Sequence, residues 1–231
     1  MLVIAGIAAG IWAFAAIADE VREGDAQSFD SRVLLSMRTP DGALKGSPAF
    51  QEAARDVTSL GGVTLLALVI FVTAGFLSLD GKRHMAFFLC GAVAGGMILT
   101  TVLKDSFHRS RPDLVSHAVY ASGASFPSGH SMMSAVTYLT LGALLARSHP
   151  RKMVKAYVLL LAAMLTVLVG VSRVYLGVHW PTDVLAGWSA GSVWAMLCWL
   201  LARRLQLAHT LEREEEFGPE PRVFRRAPSR S

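Results

Sequence analysis

Residues Val57–Leu79 read VTSLGGVTLLALVIFVTAGFLSL, 23 positions without Asp, Glu, Lys or Arg. An α-helix crosses the hydrocarbon core of a bilayer in about 20 residues. The stretch has that length and no polar face at helical period, as a soluble amphipathic helix would have. Five more stretches without those four residue types lie around it: Met1–Ala18, Met85–Leu103, Ser131–Ala146, Ala156–Ser172 and Val184–Ala202. Together the six hold 112 of the 231 residues. Charged residues make up 17% of the chain, against about a quarter in soluble domains. The mean hydropathy is +0.45. Disorder, collagen and coiled coil are excluded by this composition. The reading is an all-α polytopic membrane protein, a bundle of six transmembrane helices over residues 1–202.

The segments between the stretches alternate in charge. On one side, Lys82, Arg83, Arg147, Arg151, Lys152, Lys155 and seven tail arginines make 13 basic residues; the other side has 9. With the acidic residues counted, the sides carry +7 and −2, which accounts for the net +5. Lys and Arg concentrate on the cytoplasmic side of membrane proteins. Both termini are therefore expected inside, with segments 19–56, 104–130 and 173–183 outside. The basic excess is spent on orientation and implies no nucleic acid.

The remaining features organise the chain. Thr39-Pro40-Asp41-Gly42 reads as a turn. Phe29, Val33, Leu34 and Met37 recur at helical spacing and predict a short interfacial helix. Gly91/Gly95 and Gly187/Gly191 have the GxxxG spacing of close helix packing. Cys90 and Cys198 fall inside apolar stretches and read as small buried residues. Ala16-Ile17-Ala18 has small residues like a signal-peptidase site, but no basic region precedes it, which favours a retained first helix. Residues 203–231 read as a cytoplasmic tail, disordered in its Glu-, Arg- and Pro-rich part from Leu211.

The outer side holds the polar residues that matter for chemistry. Lys104 follows the third stretch, and Arg111-Pro112 comes seven residues later. Pro127-Ser128-Gly129-His130 opens the fourth stretch, Ser172-Arg173 ends the fifth, and His179 and Asp183 lead into the sixth. Lys104, Arg111 and Arg173 present three positive charges, a match for a phosphate monoester. If the third helix continues beyond Lys104, Arg111 lies on the same face. Ser128 is a natural N-cap, which places the Gly129 and His130 amides at a helix N-terminus where an anion is favoured. Two histidines on different helices suit a nucleophile and a general acid. Asp183, four residues after His179 across a helix start marked by Pro181, is placed to orient one ring nitrogen. His130 then protonates the leaving oxygen. No carboxylate or Cys/His cluster has the spacing of a metal site, so no cofactor or metal is expected. Asp105, His108 and Arg109 are assigned to shaping the loop; His117 is within reach of the site, with a place on the loop surface preferred.

These residues form three blocks: Lys104-x6-Arg111-Pro112, Pro127-Ser128-Gly129-His130, and Ser172-Arg173-x5-His179-x3-Asp183. The set resembles the signature of the type 2 phosphatidic acid phosphatases, membrane lipid phosphatases related to vanadium haloperoxidases, and it matches at every position. The resemblance implies a haloperoxidase-like six-helix core. It also implies a phosphohistidine on His179 oriented by Asp183, with His130 as general acid. Lys104, Arg111, Ser128, Gly129 and Arg173 would hold the phosphate.

The reading is therefore a metal-independent phosphatase of a lipid phosphate or polyprenyl diphosphate at the outer face of a bacterial cytoplasmic membrane. Its partners are that substrate and the surrounding lipids. The rivals are a lipid-binding or lipid-moving protein that retains the phosphate pocket, haloperoxidase chemistry, and a transporter. Six spans disfavour the second, and the lack of polar residues near the midplane disfavours the third. Phosphatidylglycerophosphate, phosphatidic acid, undecaprenyl diphosphate and lipid A phosphates all offer the same phosphoryl group. The sequence does not choose among them, and it leaves the oligomeric state open.

Overall fold

The computed structural model describes residues 1–217, with side chains through Leu205. It contains eight helices: α1 (Leu2–Glu23), α2 (Gln27–Ser36), α3 (Pro48–Ser59), α4 (Val63–Leu79), α5 (Arg83–Phe107), α6 (Gly129–Ser148), α7 (Lys152–Tyr175) and α8 (Pro181–Phe217). There is no strand among the described residues, only an isolated bridge between Arg38 and Leu44. The chain divides into a compact body, Met1–Trp199, and a second unit from Leu200 onward. The second unit is helical as far as Phe217. The part of the expected tail after Phe217 lies outside the described residues.

Among the described residues, four helices are long and apolar enough to cross a membrane: α1, α5, α7 and the Pro181–Leu205 part of α8. The pair α3–α4 adds a fifth if it is counted as one span. Bulky apolar side chains on these helices face outward, among them Phe71 at 77%, Phe87 at 78% and Leu160 at 69% exposure. Water would penalise such a surface at roughly 25 cal/mol per Å², whereas lipid does not. The sixth expected span, α6, lacks that apolar length. It opens on Gly129-His130-Ser131 and buries ten of its residues, including Ser131, Ser134, Thr137 and Thr140. A helix enclosed by other helices has no lipid to match, so its hydropathy is free to fall.

The stretch that opened the sequence reading is not one helix. α3 and α4 meet at a 52° bend. Ser47 caps α3 by accepting from the Phe50 amide, with Pro48 in the first turn. The break falls at Leu60-Gly61-Gly62. A Cβ on Gly61 would lie 2.4 Å from Val169 Cγ1 and 3.3 Å from His130 Cβ. Only glycine lets the bend sit this close to α6 and α7. The Leu60 carbonyl, freed by the break, accepts from the Tyr138 hydroxyl at 2.7 Å.

Gly187 and Gly191 do seat α8 on α6. Added Cβ atoms there would lie 2.8 Å from the Ser128 carbonyl oxygen and 2.6 Å from that of Met132. The Gly91/Gly95 pair does not act as a unit. Gly91 has nothing within 4 Å of an added Cβ, while Gly95 receives the ring of Trp194 from α8. Phe29–Met37 is largely helix, as α2, and Gly42 N–H closes the Thr39 turn at 2.9 Å. Both cysteines are free, with Cys198 buried and Cys90 exposed.

Candidate active site

The three blocks converge at one end of the Met1–Trp199 body. α5 delivers Lys104 in its last turn and stops at His108, which adopts a left-handed conformation with φ 46°. Arg111 is therefore not on the helix face with Lys104, contrary to the helical spacing considered from sequence. It reaches the site from the loop. Its guanidinium donates to the carbonyls of Gly123 (3.1 Å), Ser122 (2.8 Å) and Val178 (2.7 Å), which hold it rigidly. The Lys104 ammonium donates to the Ala124 carbonyl at 2.5 Å. A Cβ on Gly129 would lie 3.4 Å from Lys104 Cε.

Ser128 caps α6 and accepts from the Ser131 amide and hydroxyl. Its own amide is spent on the Asp183 carbonyl at 2.9 Å, which ties the start of α6 to the first turn of α8. Gly129 and His130 open the helix beyond it. His130 lies within electrostatic reach of Arg173, His179, Arg111 and Lys104. Arg173, buried near the end of α7, donates through Nη1 to the Thr58 hydroxyl of α3 at 3.1 Å. Its Nε is buried with no hydrogen-bond partner. Such a donor usually has one, and a phosphate oxygen would supply it.

His179 and Asp183 form the centre. Arg111 Nη1 lies 3.1 Å from His179 Nε2. A guanidinium only donates, so Nε2 accepts and carries a lone pair. The ring proton then sits on Nδ1, 3.4 Å from Asp183 Oδ2 and 3.3 Å from Ser125 Oγ. Asp183 Oδ2 also accepts from the Trp180 amide at 2.9 Å and closely from the Ser125 hydroxyl. Burial pushes the His179 imidazole down to about 4, against the opposing pull of Asp183. Burial likewise lowers the Arg111 guanidinium from its ordinary value.

A cavity of about 500 Å³ reaches from His130 and Arg173 past Thr58 to Leu65, Leu68 and Tyr120. It is polar at the cationic end and apolar along α4. Among the described residues, no group of three His, Cys, Asp or Glu side chains is arranged to hold a metal ion.

A family model described as PAP2 superfamily matches residues 85–207, a range that includes all three blocks. The chain belongs to the PAP2 superfamily. Within it, phosphatidylglycerophosphatase B of Bacillus subtilis is 38% identical over 150 residues, which are 62% of this chain and 71% of the relative. An undecaprenyl-diphosphatase of Sulfolobus acidocaldarius is 44% identical over 126 residues, 52% of this chain and 57% of that protein. The crystal structure of a transmembrane PAP2 type phosphatidylglycerolphosphate phosphatase from Bacillus subtilis superposes with a TM-score of 0.79 at 30% identity. That match covers 86% of this chain and 96% of the other.

The PAP2 signature does not include four residues that the structure brings to the site. Ser125 bridges His179 and Asp183, and its amide is tied to the Arg109 carbonyl at 2.8 Å. Arg109, assigned from sequence to shaping the loop, donates to Asp183 Oδ1 at 2.7 Å. Asp30 of α2 accepts from Arg109 at 2.7 Å. Thr58 holds Arg173. One of these left a trace in the sequence. Asp30 stands one helical turn before Leu34, so a carboxylate falls on the apolar stripe of α2. The other three carry no local pattern.

Proposed function

We propose that the protein is a metal-independent membrane phosphatase that removes phosphate from a lipid phosphate or polyprenyl diphosphate through a phosphohistidine on His179. The observation that carries this reading is the pair of hydrogen bonds on His179. Arg111 marks Nε2 as the lone-pair nitrogen, and Asp183 with Ser125 takes the Nδ1 side.

In the first step the Nε2 lone pair attacks phosphorus. The bond from phosphorus to the lipid oxygen breaks, and that oxygen takes a proton from His130. Lys104, Arg111, Arg173 and the Gly129 and His130 amides at the start of α6 meet the charge on the equatorial oxygens. The unpartnered Arg173 Nε supplies one of those donors. In the second step water gives a proton to the now neutral His130, and its oxygen bonds phosphorus. The nitrogen–phosphorus bond breaks, and the electron pair returns to Nε2. Asp183 stays ionised and stabilises the imidazole orientation throughout. The anion is met by cations and amides, and the carboxylate beside His179 is already engaged by Arg109, Ser125 and the Trp180 N–H, which supports chemistry without a metal.

The cavity beside His130 fits a lipid whose phosphate meets Arg173 and whose chain lies along Leu65 and Leu68. The asymmetry of basic residues supports an outer-face site, cytoplasmic termini and residence in a bacterial cytoplasmic membrane. The names of the relatives support phosphatidylglycerophosphate and undecaprenyl diphosphate as the first substrates to try.

The test is phosphate release by the detergent-solubilised chain from phosphatidylglycerophosphate, phosphatidic acid, undecaprenyl diphosphate and a lipid A phosphate. Release from at least one of them, lost in His179→Ala, is expected. Equal release by His179→Ala overturns the proposal.

A further inference from the structure

Arg109 lies between two buried carboxylates that are far apart in sequence. Its Nη2 donates to Asp30 Oδ2 at 2.7 Å, and its Nη1 donates to Asp183 Oδ1 at 2.7 Å. Both carboxylates are fully buried and Arg109 is nearly so. The Trp180 ring stands 5.6 Å from the guanidinium carbon. Thr182 joins the same knot. Its amide donates to Asp30 Oδ1 at 2.9 Å, and its hydroxyl donates to Asp30 Oδ2 at 2.6 Å while accepting from Arg109 at 2.7 Å.

This arrangement does two things for Asp183. Thr182 is the second residue of α8, where backbone amides have no partner inside the helix and a negative charge is favoured. Asp30 caps that turn from outside, and Asp183 is the next residue. Arg109 then occupies Oδ1, so the carboxylate cannot turn about its own axis. Oδ2 is left facing His179 Nδ1, Ser125 and the Trp180 amide. A buried carboxylate with an unpaired oxygen would be costly and free to rotate.

We infer that Asp30 and Arg109 are positioning residues for the reaction: α2 of the outer 19–56 segment inserts a carboxylate that, through Arg109 and Thr182, sets the orientation of Asp183 toward His179. The inference rests on the proposed role of His179 and Asp183. It gives the 19–56 segment a part in catalysis.

The test uses the full chain in mixed micelles with phosphatidic acid or undecaprenyl diphosphate, whichever the wild type turns over faster. Asp30→Asn and Arg109→Gln are each expected to lower kcat by about ten- to a hundredfold with KM within about threefold, the pattern of residues that do not touch the lipid. The acid limb of kcat/KM also separates them. The charges facing His179 and Asp183 are Arg109, Arg111, Arg173, Lys104 and His130, with Asp30 behind Arg109. Losing Arg109 leaves Asp183 uncompensated, favours the imidazolium and moves that limb to higher pH. Losing the Asp30 charge leaves Arg109 beside Asp183 as its counter-charge and does not raise the limb. In the double variant the loss should match that of Arg109→Gln alone, because both act through one contact. If either variant fails to fold, Thr182→Val tests the same link and should lower kcat with KM unchanged. Wild-type kcat in the folded variants, or losses that simply multiply in the double variant, would overturn the inference. His179→Ala is the control: if it retains full activity, the reading of the site itself fails, whatever Arg109 does.

Discussion

His179 Nε2 and Arg111 Nη1 lie 3.1 Å apart. The contact settles which nitrogen holds the lone pair and aims it at the place where the cations converge. Arg111 also donates to three backbone carbonyls, so its position is fixed before any ligand arrives. Arg111→Lys would keep a charge but lose the fork. It should reduce kcat/KM by about a hundredfold, with kcat and KM both affected, because a point charge does not replace two directed donors. Steady-state kinetics in mixed micelles checks this.

Because burial holds the His179 imidazole near 4, the proposed nucleophile is already neutral well below the ordinary histidine value of about 6.5. A lowered pKa means the charged, inactive form appears only as pH falls toward that value. The acid limb of kcat/KM should thus lie below about pH 5.5. An acid limb near the ordinary histidine value would count against a buried, neutral His179.

Arg173 carries a buried Nε without a partner. Orthovanadate, a mimic of the transferring phosphoryl group, should inhibit by taking that donor. Arg173→Ala should weaken inhibition by about ten- to a hundredfold, the size of one charge-assisted hydrogen bond. Dose–response curves for the two proteins give the comparison.

Gly61 is packed too closely for a side chain, with Val169 Cγ1 2.4 Å from an added Cβ and His130 Cβ at 3.3 Å. Gly61→Val should destabilise the protein by about 1–3 kcal/mol through overpacking. It should also lower activity, since the bend it displaces backs His130. Thermal unfolding in detergent and turnover measured together test both effects.

A metal-independent site predicts that EDTA leaves phosphate release unchanged. Activity abolished by chelation and restored by magnesium would contradict the proposed mechanism.

Much of this site was legible before the fold. Ser128 as an N-cap, Pro181 as a helix start and the His179–Asp183 pairing are local events, set by residues within four positions of each other. The Leu60-Gly61-Gly62 break was missed because apolarity alone does not reveal a bend. Its cause is contact with Val169 and His130, far along the chain. Arg111 left its expected helix face because His108 turns left-handed just after α5. Asp30, Arg109 and Thr58 act across 79 and 115 positions, and no periodicity carries such a link. The GxxxG spacing was equally ambiguous. Gly187/Gly191 met a backbone, whereas Gly95 met the ring of Trp194.

The central claim is a covalent phosphate on His179, and trapping it is the most direct measurement. The chain is mixed with phosphorus-32-labelled lipid phosphate, quenched within the first turnover, and digested for peptide mapping. The account predicts label on the peptide containing His179, labile in acid and stable in base, and absent from His179→Ala. Turnover in the wild type with no such label, or an equal label in His179→Ala, would contradict it.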